Sequence, residues 1–202
     1  GWGGYWGWDP VENASLMPWL AATALLHSVM IQERKGMLKV WNMVLLFFTF
    51  GMTIFGTFLT RSGIVSSVHA FAQSNVGTYF VVYLFLIIAG STLLLWRRLP
   101  DLQAETHLES FASRESAFLF NNWILLALLF AVLWGTLFPV ISEALTGEKI
   151  TVGAPFFNQV STPMGLILIF LTGAGPLFAW RRTSKEGFRR NFGVPAICAG
   201  VT

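Results

Sequence analysis

The 202-residue sequence predicts an all-α, polytopic transmembrane helical bundle, and three observations predict it: composition, the lengths of its apolar runs, and where its charges fall. Hydrophobic residues make up 54% of the chain and charged residues 11%, with a mean hydropathy of +0.62, so lipid rather than water is its solvent. A hydrocarbon core of roughly 30 Å takes about 20 apolar residues to cross. Five runs reach that length, at 10–32, 38–60, 77–96, 118–141 and 162–180, and a sixth, partial run begins at Val194. The chain opens on Gly1 directly in a motif and stops within the sixth run, so residues 1–202 are expected to be a single membrane domain cut from a longer chain.

The net charge of +3 is distributed by loop rather than by patch. Arg34, Lys35 and Lys39 follow the first span; Arg97, Arg98 and Arg114 follow the third; Arg181, Arg182, Lys185, Arg189 and Arg190 follow the fifth. Only Arg61 and Lys149 lie on the opposite side, a split of eleven to two that places the first group in the cytoplasm and Trp2–Asp9, 61–76 and 142–161 outside. This pattern argues against a nucleic-acid partner and for membrane lipid. The lone Cys198 permits no internal disulfide and no CxxC pair.

Asp9-Pro10-Val11-Glu12 combines an N-cap acceptor, a proline at the first helical position and a carboxylate three residues after the cap, so a helix starts there and runs inward to Gly36. The second span returns outward to Thr60. Within 61–76, Ile64, Val65, Val68, Phe71 and Ala72 recur at helical spacing, which predicts a short interfacial helix. The loop 97–115 mixes both signs of charge and reads as a solvated amphipathic helix. In the outer loop 142–161, Thr146-Gly147-Glu148-Lys149 predicts a turn with a small hairpin around it. Gly173, Gly175 and Pro176 are expected to bend the fifth span or admit a close neighbour.

Gly1-Trp2-Gly3-Gly4-Tyr5-Trp6-Gly7-Trp8-Asp9 sets four large aromatics among four glycines just outside the membrane. An interfacial aromatic belt accounts for the rings. It does not account for the glycines, which let backbone approach a flat ligand closely while the indoles offer π faces and N–H donors. A planar apolar macrocycle suits such a surface. The stretch Trp2 to Ala14 resembles the tryptophan-rich "WWD" signature of the membrane proteins that handle haem in cytochrome c assembly. Ala24-Leu25-Leu26-His27, Phe58-Leu59-Thr60-Arg61-Ser62-Gly63 and Val68-His69-Ala70-Phe71 are similar to the CcmF branch of that group, with NrfE as near relative. Tyr5-Trp6-Gly7-Trp8 is the main departure from bulkier aromatics.

The resemblance implies a haem lyase subunit in a bacterial inner membrane, with a mitochondrial inner membrane as the alternative. It implies haem as substrate at the outer face, carried by Trp2, Trp6, Trp8 and Asp9. The partners it implies are apocytochrome c with its CxxCH motif, a periplasmic haem chaperone, other cytochrome c maturation subunits and a quinol. His27 lies among Leu25, Leu26, Val29, Met30 and Ile31; a histidine there is either a hydrogen-bonded helix contact or functional. The resemblance assigns it to the iron of a buried haem b that donates electrons. His69 reads from sequence alone as a solvent-facing histidine, and the resemblance makes it the iron ligand of the outer haem. Arg61 is either a propionate partner, since guanidinium pairs well with carboxylate, or an ordinary loop charge.

The two histidines cannot serve one haem. His27 is 17 residues past Pro10, roughly 26 Å along a helix, whereas His69 stays near the outer face. Met43, near the depth of His27, is a candidate second ligand; His107 matches no family ligand. A haem transporter or exporter and a quinone-linked cytochrome b subunit are the rival readings. The first should offer a polar path at mid-bilayer, where these spans show mostly Ser, Thr and Gly without a charged pair, and the second would leave the tryptophans only a belt role. The charge split makes a direct prediction about orientation: reporter fusions after Arg98 and Arg190 should report cytoplasm and fusions at Gly147 should report the outside. A periplasmic signal at Arg98 would overturn the orientation.

Overall fold

A computed structural model describes residues 4–65, 76–104, 108, 110–179 and 183–201. These residues form six α-helices: α1 (Pro10–Lys35), α2 (Lys39–Arg61), α3 (Gly77–Arg98), α4 (Arg114–Thr146), α5 (Ala154–Ala174) and α6 (Lys185–Val201). Among the described residues there is no strand, and α1 to α5 are the five helices long and apolar enough to cross a membrane. Helices satisfy every backbone donor and acceptor internally, which is what lipid demands. Large apolar side chains such as Leu86, Ile88, Phe130 and Phe170 are exposed on the outer surface of the bundle, where acyl chains rather than water would meet them.

The helices form a row in the order α3, α2, α1, α4, α5, with α1 in the middle touching both α2 and α4. Met17, Leu20, Ala21 and Ala24 of α1 meet Leu45 and Leu59 of α2 and Leu125, Leu129 and Val132 of α4 in one core. Neighbours are antiparallel. Against α4, Asn13 pairs with Thr136, His27 with Asn121 and Lys35 with Glu115, so contacts descend α1 as they ascend α4. Against α2, Gly56 lies so close to α1 that a Cβ there would sit 2.7 Å from the Ala14 carbonyl oxygen; only glycine allows that approach. α3 buries none of its residues and touches only α2 among the helices.

Several details differ from the sequence reading. The expected hairpin at 142–161 is absent, because α4 extends to Thr146 and α5 already starts at Ala154. The seven residues between are a turn, entered through left-handed Gly147 (φ 76°) and held by Ile150 N–H donating to Ser142 Oγ at 3.0 Å. The loop 97–115 is not an amphipathic helix in its described part. Leu99–Leu102 form one 3-10 turn with Pro100 as its second residue, and α4 starts after an N-cap at Ser113, whose Oγ accepts from Ser116 N–H at 3.2 Å. Gly175–Leu177 close α5 in another 3-10 turn. The run from Val194 is the second half of α6, whose first half is the charged stretch from Lys185. The expected interfacial helix falls mostly on 66–75, outside the described residues.

At the end of α1 away from its capping box the Lys35 ammonium lies 3.3 Å from a Glu115 carboxylate whose side chain is 1% exposed. Removing one member of such a pair strands the other charge in a dry site. Lys35→Met is therefore expected to cost about 3–5 kcal/mol of unfolding free energy, and Lys35→Met with Glu115→Leu to recover most of it. Denaturation in detergent micelles measures both; equal losses in the two variants would remove the pair from the account.

Candidate functional site

Two separate sites emerge at different depths of α1. The outer one is organised by the start of that helix. Asp9 Oδ2 accepts from Val11 N–H at 3.0 Å, and Glu12 Oε2 reaches back to Asp9 N–H at 3.1 Å and to Gly7 N–H at 2.9 Å, completing the capping box that the sequence announced. The Asp9 carboxylate thus shapes the segment by capping α1. Trp8 just before it has φ of 59°, a left-handed conformation costly for a bulky residue, and persists only where its surroundings over-determine it.

Those surroundings are visible. The Trp8 carbonyl accepts from Asn13 Nδ2 at 3.1 Å, and the same amide donates to Thr136 Oγ1 of α4 at 3.0 Å. The Trp8 indole N–H donates to Asn158 Oδ1 of α5 at 2.8 Å, and its ring stacks on Phe157 with centroids 5.1 Å apart and planes at 12°. Phe157 is seated against Gly135, where a Cβ would come within 2.6 Å of its ring. Trp6 packs edge-on against Trp8 at 5.7 Å and 88° and keeps 39% of its surface open, and Tyr5 is fully exposed. The result is a rigid indole locked to three helices with a second, accessible indole on top of it.

Arg61 is exposed at the last residue of α2, which the antiparallel packing puts at the same end of the bundle. Trp2, His69 and His107 lie outside the described residues. Sequence reasoning gave no role to Asn13, Gly135, Phe157 or Asn158. The last two sit 150 residues from the motif they support, as the Trp8–Asn158 separation records, so no local pattern links them.

The inner site centres on His27. Its Nδ1 lies 2.7 Å from Asn121 Nδ2 of α4, and its ring is tilted against Phe118 at 5.6 Å. Rotating the amide by a half turn presents oxygen instead, so Asn121 serves either ring tautomer. The imidazole borders a cavity of about 390 Å³ between α1, α4 and the end of α5, where Met30, Phe118 and Leu171 supply apolar walls and Arg34 and Arg114 supply the charges. Met43 does not line it: α2 packs on the opposite flank of α1. A neutral imidazole pinned through one nitrogen beside an apolar cavity fits an axial iron ligand, since such ligands commonly bond their second nitrogen to a neighbour.

The class of protein is thus a multi-pass membrane protein with an ordered aromatic platform outside and a histidine-bearing cavity within. Residues 1–66 match the family model described as "Cytochrome C assembly protein". Over 98% of its length the chain is 48% identical to the cytochrome c-type biogenesis protein CycK of Rhizobium meliloti (strain 1021), covering 29% of that protein. Over 94% of its length it is 43% identical to CcmF of Escherichia coli (strain K12), again covering 29%. Among solved structures it is similar to "Cytochrome c Heme Lyase CcmF", with a TM-score of 0.71 and 37% identity over 98% of this chain and 28% of that one. Over nearly all of its own length the chain is thus similar to CcmF-type cytochrome c biogenesis proteins, and it spans less than a third of the length of these proteins.

The outer lock generates a prediction. Asn158→Ala removes the acceptor of the Trp8 indole, which should raise backbone hydrogen exchange across residues 6–9 and lower stability by about 1 kcal/mol. Unchanged exchange in that window would mean that the stacking on Phe157 alone fixes the platform.

Proposed function

We propose that this segment belongs to a haem lyase that receives haem at the outer face of a bacterial inner membrane and attaches it to apocytochrome c, with a haem b at His27 as the internal electron donor. The observation that carries this reading is the His27 imidazole, held at Nδ1 by Asn121 on the wall of an intramembrane cavity. A belt of tryptophans would not call for it, and a bundle held by apolar contacts would have no reason to bury it.

The residues divide the work by depth. Outside, Trp6 offers its open face to the flat substrate, and Trp8, immobilised by Asn158 and Phe157, keeps that face from collapsing. Trp2 extends the surface, Arg61 is the guanidinium for a propionate of the substrate, and His69 is its iron ligand. Fixing the substrate haem's orientation presents its vinyl edge to the CxxCH thiols and removes the entropy cost of alignment. Each thiol then adds across one vinyl group: sulfur bonds to one carbon and the proton to the other, with no net redox change. The iron must stay reduced throughout. Inside, His27, steadied by Asn121, would hold the resident haem, and Phe118, Met30 and Leu171 would keep water from it. That haem would supply one-electron transfer between a quinol and the outer site. A periplasmic haem chaperone and the other maturation subunits complete the set of partners.

The two levels give separable outcomes. In the full-length protein, His27→Ala is expected to remove the low-spin b-type absorption, because lipid offers no replacement ligand, and exogenous imidazole should restore part of it. His69→Ala should abolish covalent haem on a co-expressed apocytochrome while leaving that absorption intact. A His27→Ala protein with unchanged haem per polypeptide would reduce His27 to a helix-packing contact and defeat the reading.

A further inference from the structure

Asn122 is a buried polar group that neither site uses. It follows Asn121 on α4, but one residue turns the side chain by about 100° around the helix, so only Asn121 is directed to His27. Asn122 is 1% exposed, and neither its Oδ1 nor its Nδ2 has a hydrogen-bond partner. An amide in that state is costly where water is absent, so its retention points to a group that bonds to it.

The amide stands at one end of a groove between α2 and α4. Both helices pack on α1, while their own backbones stay apart. The end at Asn122 is a cavity of about 240 Å³ walled by Leu38, Trp41, Leu119 and Trp123, with the two indole rings 6.1 Å apart and their planes inclined at 29°. Trp41 is shared with a second cavity of about 340 Å³ whose walls, among them Val44 and Leu126, are apolar. From Leu119 to Leu133 the groove follows α4 for roughly 20 Å. Exposed Trp123 and Phe130 bring its rim to the surface that acyl chains would meet. The shape is a polar head site with an aromatic wall, continued by an apolar channel for a tail.

We propose that this groove binds a membrane hydroquinone, its ring against Trp41 and Trp123, one hydroxyl on the Asn122 amide and its tail along Val44 and Leu126. The proposal deepens the reading in which a quinol serves a haem at His27, and it rests on that reading for its role. A hydroxyl donates to Oδ1 and accepts from Nδ2 together, whereas a quinone carbonyl only accepts, so the amide favours the reduced form. Indole faces favour a ring over an aliphatic head. Asn121, the next residue on α4, then holds the imidazole on the other side.

The test titrates full-length protein in detergent calorimetrically with a decyl-substituted hydroquinone, with the corresponding quinone and with 1-decanol. Wild type should bind the hydroquinone about fivefold more tightly than the quinone, the effect of one added hydrogen bond, and more tightly than the alcohol. Asn122→Leu should bind the two redox forms equally. Val44→Trp, which fills the tail channel, should weaken the decyl compound and leave unsubstituted hydroquinone unaffected. Equal affinity of wild type for both redox forms, an undiminished preference in Asn122→Leu, decanol bound as tightly as the hydroquinone, or no saturable binding because a phospholipid chain holds the groove would each overturn the proposal. None of these outcomes touches the low-spin absorption that defines the His27 site. Unchanged haem content in His27→Ala would instead overturn the haem reading, with the hydroquinone preference at Asn122 intact.

Discussion

The register of α1 against α4 is the constraint on which the rest of the structure depends. In lipid, apolar side chains gain little by leaving one hydrocarbon surface for another, so helix pairs take their register from close packing and polar contacts. Three such contacts fix this pair at three depths: Asn13 to Thr136 near the start of α1, His27 to Asn121 within, and Lys35 to Glu115 at its far end. A slip of one residue would rotate α4 by about 100° relative to these partners and break all three. The outer and inner sites are consequently not independent inventions on one scaffold. The same register that brings Thr136 to Asn13, and through it steadies the Trp8 carbonyl, delivers Asn121 to the imidazole.

α1 can hold this central place because its buried stripe is built from small residues. Ala14, Ala21, Ala24 and Ser28 are all buried, and Gly56 of α2 comes within contact of the Ala14 carbonyl. Close backbones bring short polar side chains within reach of one another, as where the Asn42 amide donates to Gln32 Oε1 at 2.6 Å across the α1–α2 junction. Bulkier residues would push the helices apart and leave those groups unpaired in a medium that cannot solvate them.

Much of the fold was legible because membrane helices announce themselves by length and by caps. The Asp9, Pro10 and Glu12 signals gave the start of α1, and the five apolar runs gave the five long helices. What escaped was the beginning of α5. Asn158, Gln159, Ser161, Thr162 and Pro163 look like loop chemistry, yet Pro155 opens the helix and Phe157 is buried against Gly135. The choice between helix and loop was made there by a contact with another helix, which local pattern cannot carry. Asn121 escaped for a different reason. Two adjacent amides in the apolar stretch from Phe118 to Trp123 were a visible anomaly, but only the fold decides that one of them faces His27.

The placement of the cationic groups at the inner end separates what helix electrostatics requires from what it does not. Lys35 in the last turn of α1 and Glu115 in the first turn of α4 each oppose the partial charge of their own helix terminus, so the pair is favoured twice. Arg34 also sits favourably near a C-terminus. Arg114 is the exception, a positive charge at the first residue of α4, where the unsatisfied N–H groups already make the field positive. Its bond to the Pro176 carbonyl, at the end of α5, offsets part of that penalty by borrowing the negative end of another helix.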